Sequence, residues 1–181
     1  MKTCNFFTSF EKEEKWLGSM EQKGFQMINK RLFIYTFAKT SSRRSIIKLD
    51  YRSFKTQDAF EDYCALFEDS GWEHIFGTIN SGHQYFRKAN KQGSEEIFSD
   101  TASIAGRYKR LSDMWQTLSF SLFPIGVAVI TTMPLDSKTL SLKTPLSFVT
   151  PVLWFSFFVT FLLYFYFAYK ANKQYKQILK G

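Results

Sequence analysis

Apolar and polar positions alternate along the first hundred residues, and the alternation then stops. Ile47, Leu49 and Tyr51 interleave with Lys48, Asp50 and Arg52, the period of a half-exposed strand. Phe60, Tyr63, Cys64 and Phe67 fall at i, i+3, i+4 and i+7, which is one apolar face of a helix. From Met114 to Leu135, by contrast, 22 residues pass without an Asp, Glu, Lys, Arg or His. Leu146 to Tyr169 repeats this over 24 residues, 11 of them aromatic. A bilayer core takes about 20 apolar residues of helix, and a surface helix of a soluble domain would show a charged face. The pattern predicts two membrane-crossing helices joined by the short polar loop 136–145.

The remaining elements follow in chain order. Phe6 and Phe7 predict the end of a short first strand, and Thr8-Ser9-Phe10-Glu11 has the spacing of a capping box. The helix after it carries Phe10, Leu17 and Met20 on one side, with Trp16 beside them and Glu11 to Lys15 expected to face water. Gly24 suits its end. Two β-rich runs follow, Phe25 to Ala38 and Ser45 to Arg52, separated by a polar turn, Lys39 to Arg44. The second helix starts near Thr56 and closes at Gly71, with Trp72 placed for a C-terminal hydrophobic contact. Trp72 to Phe76 and His83 to Lys88 predict a hairpin around Asn80-Ser81-Gly82. Strand, helix, strand, strand, helix, strand, plus one added strand, is the order of a split βαβ, or ferredoxin-like, α+β fold. No stretch of the sequence repeats another. Beyond the connector, Ser99 or Asp100 can cap a helix whose Ile104, Tyr108, Leu111 and Trp115 predict an unbroken run into the first apolar segment. The expected organisation is a ferredoxin-like domain at 1–90, a connector and juxtamembrane helix at 91–113, spans at 114–135 and 146–169 around the loop 136–145, and a basic tail at 170–181.

Charge adds orientation. Arg107, Lys109 and Arg110 precede the first apolar run; Lys170, Lys173, Lys176 and Lys180 follow the second; the loop holds only Lys138 and Lys143 against Asp136. The positive-inside rule then puts both termini in the cytoplasm and the loop outside. These basic residues are candidates for lipid or partner contact. Tyr164, Tyr166, Tyr169 and Trp115 are placed for an interfacial aromatic belt. Pro124 beside Gly126 predicts a kink in the first span. The absence of an Asp, Glu, Lys, Arg or His inside either span argues against a proton relay or ion path built by this chain alone.

The net charge is +8. Residues 1–110 hold 18 Lys/Arg against 14 Asp/Glu, so the N-terminal part is only mildly basic, which argues against a nucleic-acid partner. Cys4 and Cys64 make neither a disulfide framework nor a zinc set, and the N-terminus lacks the apolar core of a secretory signal.

No constellation in the sequence predicts catalysis or a cofactor. His74 and His83 could face one another across the last hairpin, but no third strong ligand accompanies them. Cys64 lies on an apolar stripe, as an inert thiol does. Phe33, Tyr35 and Phe37 share one strand face and suit either helix packing or a partner surface; the RNA-binding pattern of a basic residue followed by Gly-aromatic-Gly-aromatic is missing.

Several strings match a known pattern in order: Phe6-Phe7-Thr8-Ser9-Phe10-Glu11-Lys12-Glu13-Glu14-Lys15-Trp16-Leu17, Phe67-Glu68-Asp69-Ser70-Gly71-Trp72-Glu73-His74, Tyr85-Phe86-Arg87-Lys88, Glu96-Ile97-Phe98-Ser99-Asp100 and Arg107-Tyr108-Lys109-Arg110-Leu111. Over about residues 4–111 the chain resembles an uncharacterised bacterial domain-of-unknown-function family, common in Gram-positive species and often encoded beside PadR-type regulators. The resemblance implies a setting, membrane-linked regulation or stress response, and lends no catalytic residues. The expectation is a non-enzymatic, multi-pass protein of the bacterial inner membrane whose cytoplasmic domain binds a protein partner or small ligand, with a homo-oligomer as one form of partner. An accessory subunit of a transporter or export complex is the alternative.

Overall fold

The computed structural model describes residues 1–41, 45–89, 96–98, 100–132 and 146–180. The expected loop 136–145, the end of the first apolar run, residues 90–95, Ser99 and the second half of the turn 39–44 lie outside the described residues. The elements are β1 (Lys2–Cys4), α1 (Phe10–Gln22), β2 (Phe25–Arg31), β3 (Ile34–Lys39), β4 (Ile46–Tyr51), α2 (Gln57–Glu68), β5 (Glu73–Phe76), β6 (His83–Lys88), α3 (Thr101–Thr132) and α4 (Leu146–Ile178). They form two compact units, Met1–Arg107 and Tyr108–Gly181.

The first unit is α+β, but its strands pair differently from a split βαβ sheet. That plan sets the first and third strands side by side in parallel. Here β1–β3–β2 make one antiparallel sheet and β4–β6–β5 another. The departure begins at Leu32. The run Phe25 to Ala38, read as a single β-rich stretch, doubles back through Leu32-Phe33, with Arg31 opposite Ile34. Leu32 takes φ 53°, a left-handed backbone that a leucine rarely adopts. β1 is also shorter than expected, ending at Cys4, so Phe6 and Phe7 lie beyond it. The result is one connectivity used twice: strand, helix, strand, strand, with the last strand central. The two halves share this order without sharing sequence.

Local chemistry accounts for the helices. α2 starts at Thr56, whose hydroxyl accepts from the Ala59 N–H at 3.3 Å. It ends in a Schellman motif: Gly71 (φ 80°) donates to Glu68 and Trp72 to Phe67, placing the Trp72 ring in the core with Tyr63, Phe67 and Phe86. Asp50, expected on the wet side of β4, is buried and accepts from the Tyr63 hydroxyl at 2.8 Å. In α1 the capping box does not form. The N-cap is Ser9 and Phe10 opens the helix, so Glu11 falls one position early and accepts a 2.6 Å bond from the Ser9 hydroxyl.

In the second unit α3 and the long helix α4 pack antiparallel. Ser112 donates to the Ala168 carbonyl at 3.0 Å, Trp115 lies against Tyr164 and Phe167, and Gly126 leaves room for the Phe157 ring. α3 is one helix from Thr101 to Thr132 with Pro124 inside it, which matches the expected continuous run. Among the described residues one segment, Val152–Ile178 of α4, is long and apolar enough to cross a membrane.

Candidate functional site

The concentration of chemistry in the first unit is the inner face of α1. Phe10, Glu13, Glu14, Leu17, Met20 and Glu21 are all buried, and their spacing of three, one, three, three and one is a single helical stripe. Three of the six are carboxylates. A buried carboxylate needs a cation or several donors in place of water, because desolvation costs several kcal/mol. Each glutamate on this stripe meets polar partners from other elements.

Glu13, 4% exposed, is the hub of the first cluster. Its Oε1 accepts from Lys30 Nζ at 2.8 Å, from the Tyr35 hydroxyl at 2.7 Å and from the Tyr85 hydroxyl at 2.6 Å. The Lys30 ammonium also lies 4.8 Å from the Tyr35 ring centre and 5.2 Å from that of Tyr85, within cation–π range. Burial, and then the Glu13 charge, push both phenols well above their ordinary range, so they stay neutral donors. One carboxylate thereby joins α1, β2, β3 and β6.

Glu14 anchors the second cluster. Its Oε1 accepts from Arg107 Nη1 at 2.7 Å and from the Leu49 N–H at 3.0 Å, while Lys48 lies 3.7 Å from Oε2. Arg107 also donates to the Leu49 carbonyl at 2.9 Å and pairs with Glu11 at 2.7 Å, and its guanidinium lies over the Phe10 ring. Burial raises the Glu14 carboxyl above its usual value against the pull of Arg107 and Lys48. Glu21, farther along, accepts from the Ser45 hydroxyl; burial raises its carboxyl too, with Arg87 opposing.

This places the predicted residues differently from expectation. Arg107 is buried, not an open surface cation: it is 5% exposed, and its two terminal nitrogens are engaged with α1 and β4. Lys109 is exposed and pairs with Asp113 at 3.1 Å, and Arg110 is half-buried. Lys170 is half-buried near the end of α4, where Lys173 and Lys176 are exposed, and exposed Lys180 lies beyond it. Tyr35 and Phe37, 1% and 2% exposed, pack against Trp16 of α1, so they present no partner surface. Phe33 is exposed in the turn and stacks edge-on with Phe6.

The histidines do not face each other. His74 pairs across the ladder with Phe86 and bonds the Gln84 amide at 3.0 Å, whereas His83 pairs with Tyr51. Burial, reinforced by Lys30, holds His83 down to about 4. Burial also raises the Cys64 thiol, the state of an unreactive cysteine. Among the described residues no three His, Cys, Asp or Glu gather to hold a metal.

Glu13, Glu14 and Glu21 escaped the sequence reading because charged residues on a helix ordinarily face water. The signal was present: 10, 13, 14, 17, 20 and 21 are one stripe, and three glutamates on it require buried partners. Glu13, Glu14 and Arg107 are buried and engaged with partners from their own fold, whereas Glu11, at the edge of the second cluster, is 44% exposed.

No curated protein and no solved structure matches the chain. A family match does cover residues 9–120, more than half of the chain, taking in both carboxylate clusters and their partners. The chain therefore belongs to the family described as protein of unknown function DUF2812.

Proposed function

We propose that this chain is a non-enzymatic, membrane-anchored regulatory or sensory protein. Its N-terminal domain binds a protein partner or small ligand in the cytoplasm, and α3 and α4 form a hairpin in the bacterial inner membrane with both termini inside. The observation that carries this reading is α4. Its long uncharged segment exposes Phe155, Phe158, Leu162 and Phe165, and its lysines are confined to the C-terminal end. Exposed apolar surface of that extent is stable against lipid and costly in water. The clasp of Arg107 supports a regulatory role, because it fixes the beginning of α3 to α1 and β4. A ligand that loosened α1 would release the start of a helix that runs on without a break to Thr132.

The test is affinity capture of the tagged full-length chain from gently solubilised membranes, with and without Arg107→Gln. A partner recovered with the parent chain and altered by the variant supports regulation through the domain. Recovery of the chain with nothing bound, in every detergent tried, contradicts it. The exposed aromatic side of α4 also favours a second reading, an accessory subunit docked on a larger transporter or export complex. A stoichiometric large membrane protein in the same capture, unaffected by Arg107→Gln, selects that reading.

A further inference from the structure

The β1–β3–β2 sheet has an outer face and a tip of unusual composition. Residues directly opposite in an antiparallel ladder share a face. Arg31, Ile34 and Cys4 form one outer row, and Asn29, Thr36 and Lys2 form the next. At the end of the sheet Leu32 is 78% exposed, with exposed Phe33, Ile34 and Phe6 around it. The two aromatic rings stack at 5.3 Å. Leu32 holds this position in a left-handed backbone that asparagine or glycine would adopt more readily. The charged residues of these two outer rows, Arg31 and Lys2, are both basic. The sequence has no Asp or Glu before Glu11 and none between Glu21 and Asp50; Lys2 and Arg31 are exposed on the outer rows, and Lys23 and Lys39 are exposed at the end of the hairpin away from Leu32.

An apolar wedge whose neighbouring outer rows carry only basic charge fits an anionic lipid surface: the wedge enters the acyl boundary and the cations meet the headgroups. We propose that the Leu32-Phe33 tip, with Phe6 and Ile34, docks the first unit onto an anionic bilayer through Lys2 and Arg31. For its nearness to a membrane this rests on the anchoring reading above, and it adds a second, reversible contact to that anchor.

The experiment uses the full-length chain with Cys4→Ser and Cys64→Ala, reconstituted into vesicles. A nitroxide is placed by Leu32→Cys, by Phe158→Cys in α4, or by Leu66→Cys on exposed α2. Vesicles are phosphatidylcholine alone or phosphatidylcholine with phosphatidylglycerol, and collisions with oxygen and with a water-soluble nickel complex are compared. The expected result is a label at 32 that favours oxygen only in the anionic vesicles, at a depth of roughly 5–10 Å. Lys2→Glu with Arg31→Glu should return it to water, while the label at 66 stays aqueous throughout. A nickel-accessible label at 32 beside a lipid-buried label at 158 overturns the docking and leaves the anchor standing; nickel access at both overturns the two together. Spin–spin coupling at 32 in neutral vesicles identifies a second copy as the occupant and also overturns the proposal.

Discussion

Arg107 and Glu14 are 93 residues apart in sequence and 2.7 Å apart in space. The pair is shut inside the first unit, with the Leu49 backbone supplying both a donor and an acceptor to it. A buried pair of this kind contributes little net stability, but loss of one partner strands the other charge. Arg107→Gln should destabilise the domain by about 3–5 kcal/mol, and Arg107→Met with Glu14→Leu should recover most of that loss. Urea unfolding followed by tryptophan fluorescence measures both.

The Glu13 cluster permits a graded comparison. Tyr85→Phe removes one hydroxyl from a charged acceptor and should cost about 1.5–3 kcal/mol. Glu13→Ala leaves the Lys30 ammonium without its carboxylate and two buried phenols without an acceptor, and should cost about 3–5 kcal/mol. Equal losses for the two variants would mean that Glu13 is not the hub. The same denaturant series reads the difference.

Much of the fold was legible because its signals are local. The α2 stripe, the Gly71-Trp72 cap, the alternation in β4 and the long apolar runs each need only neighbouring residues to be seen. What escaped depends on distant partners. Glu13 and Glu14 look like a solvated first turn until Lys30 and Arg107 are brought to them. Arg107 looks like a membrane-edge cation because it stands seven residues before Met114, yet the clasp with α1 and β4 takes it into the domain. The β2–β3 turn carries Leu-Phe in place of the Asn-Gly type of signal, so one run hid two strands and the wrong sheet followed. Of Phe33, Tyr35 and Phe37, the turn leaves Phe33 outside and directs the other two into the core against Trp16, the helix packing that their shared face also allowed.

His83 predicts a pH dependence. Its imidazole is packed against Tyr51, Phe10 and Tyr85, with Lys30 and Glu13 nearby, and titrates at about 4 in the fold against an ordinary 6.5. Between those values the unfolded chain holds the extra proton, so stability falls as pH drops from 6.5 toward 4 and levels off below that. The contribution is roughly 1–3 kcal/mol. Glu14 and Glu21, raised above 4.5, act in the opposite sense, since the fold takes up their protons first as pH falls. His83→Gln should therefore flatten the loss between pH 6.5 and 4, or reverse its sign, in denaturant titrations run across that range.

Gly126 predicts the closeness of α3 to α4. A Cβ there would lie 2.6 Å from the Phe157 ring, so Gly126→Ala must displace that ring and should lower the stability of the pair by about 1–3 kcal/mol. Gly126→Ala with Phe157→Leu should restore part of it. Thermal unfolding in detergent, read by helical circular dichroism, distinguishes the two.

The most direct measurement of membrane anchoring is alkaline carbonate extraction of membranes from cells expressing the full-length chain, beside a variant with Phe158→Arg and Leu162→Arg. Anchoring by α4 predicts that the parent chain stays in the membrane pellet and that the double-arginine variant is released or degraded. A parent chain recovered in the carbonate supernatant, folded and without detergent, would contradict it.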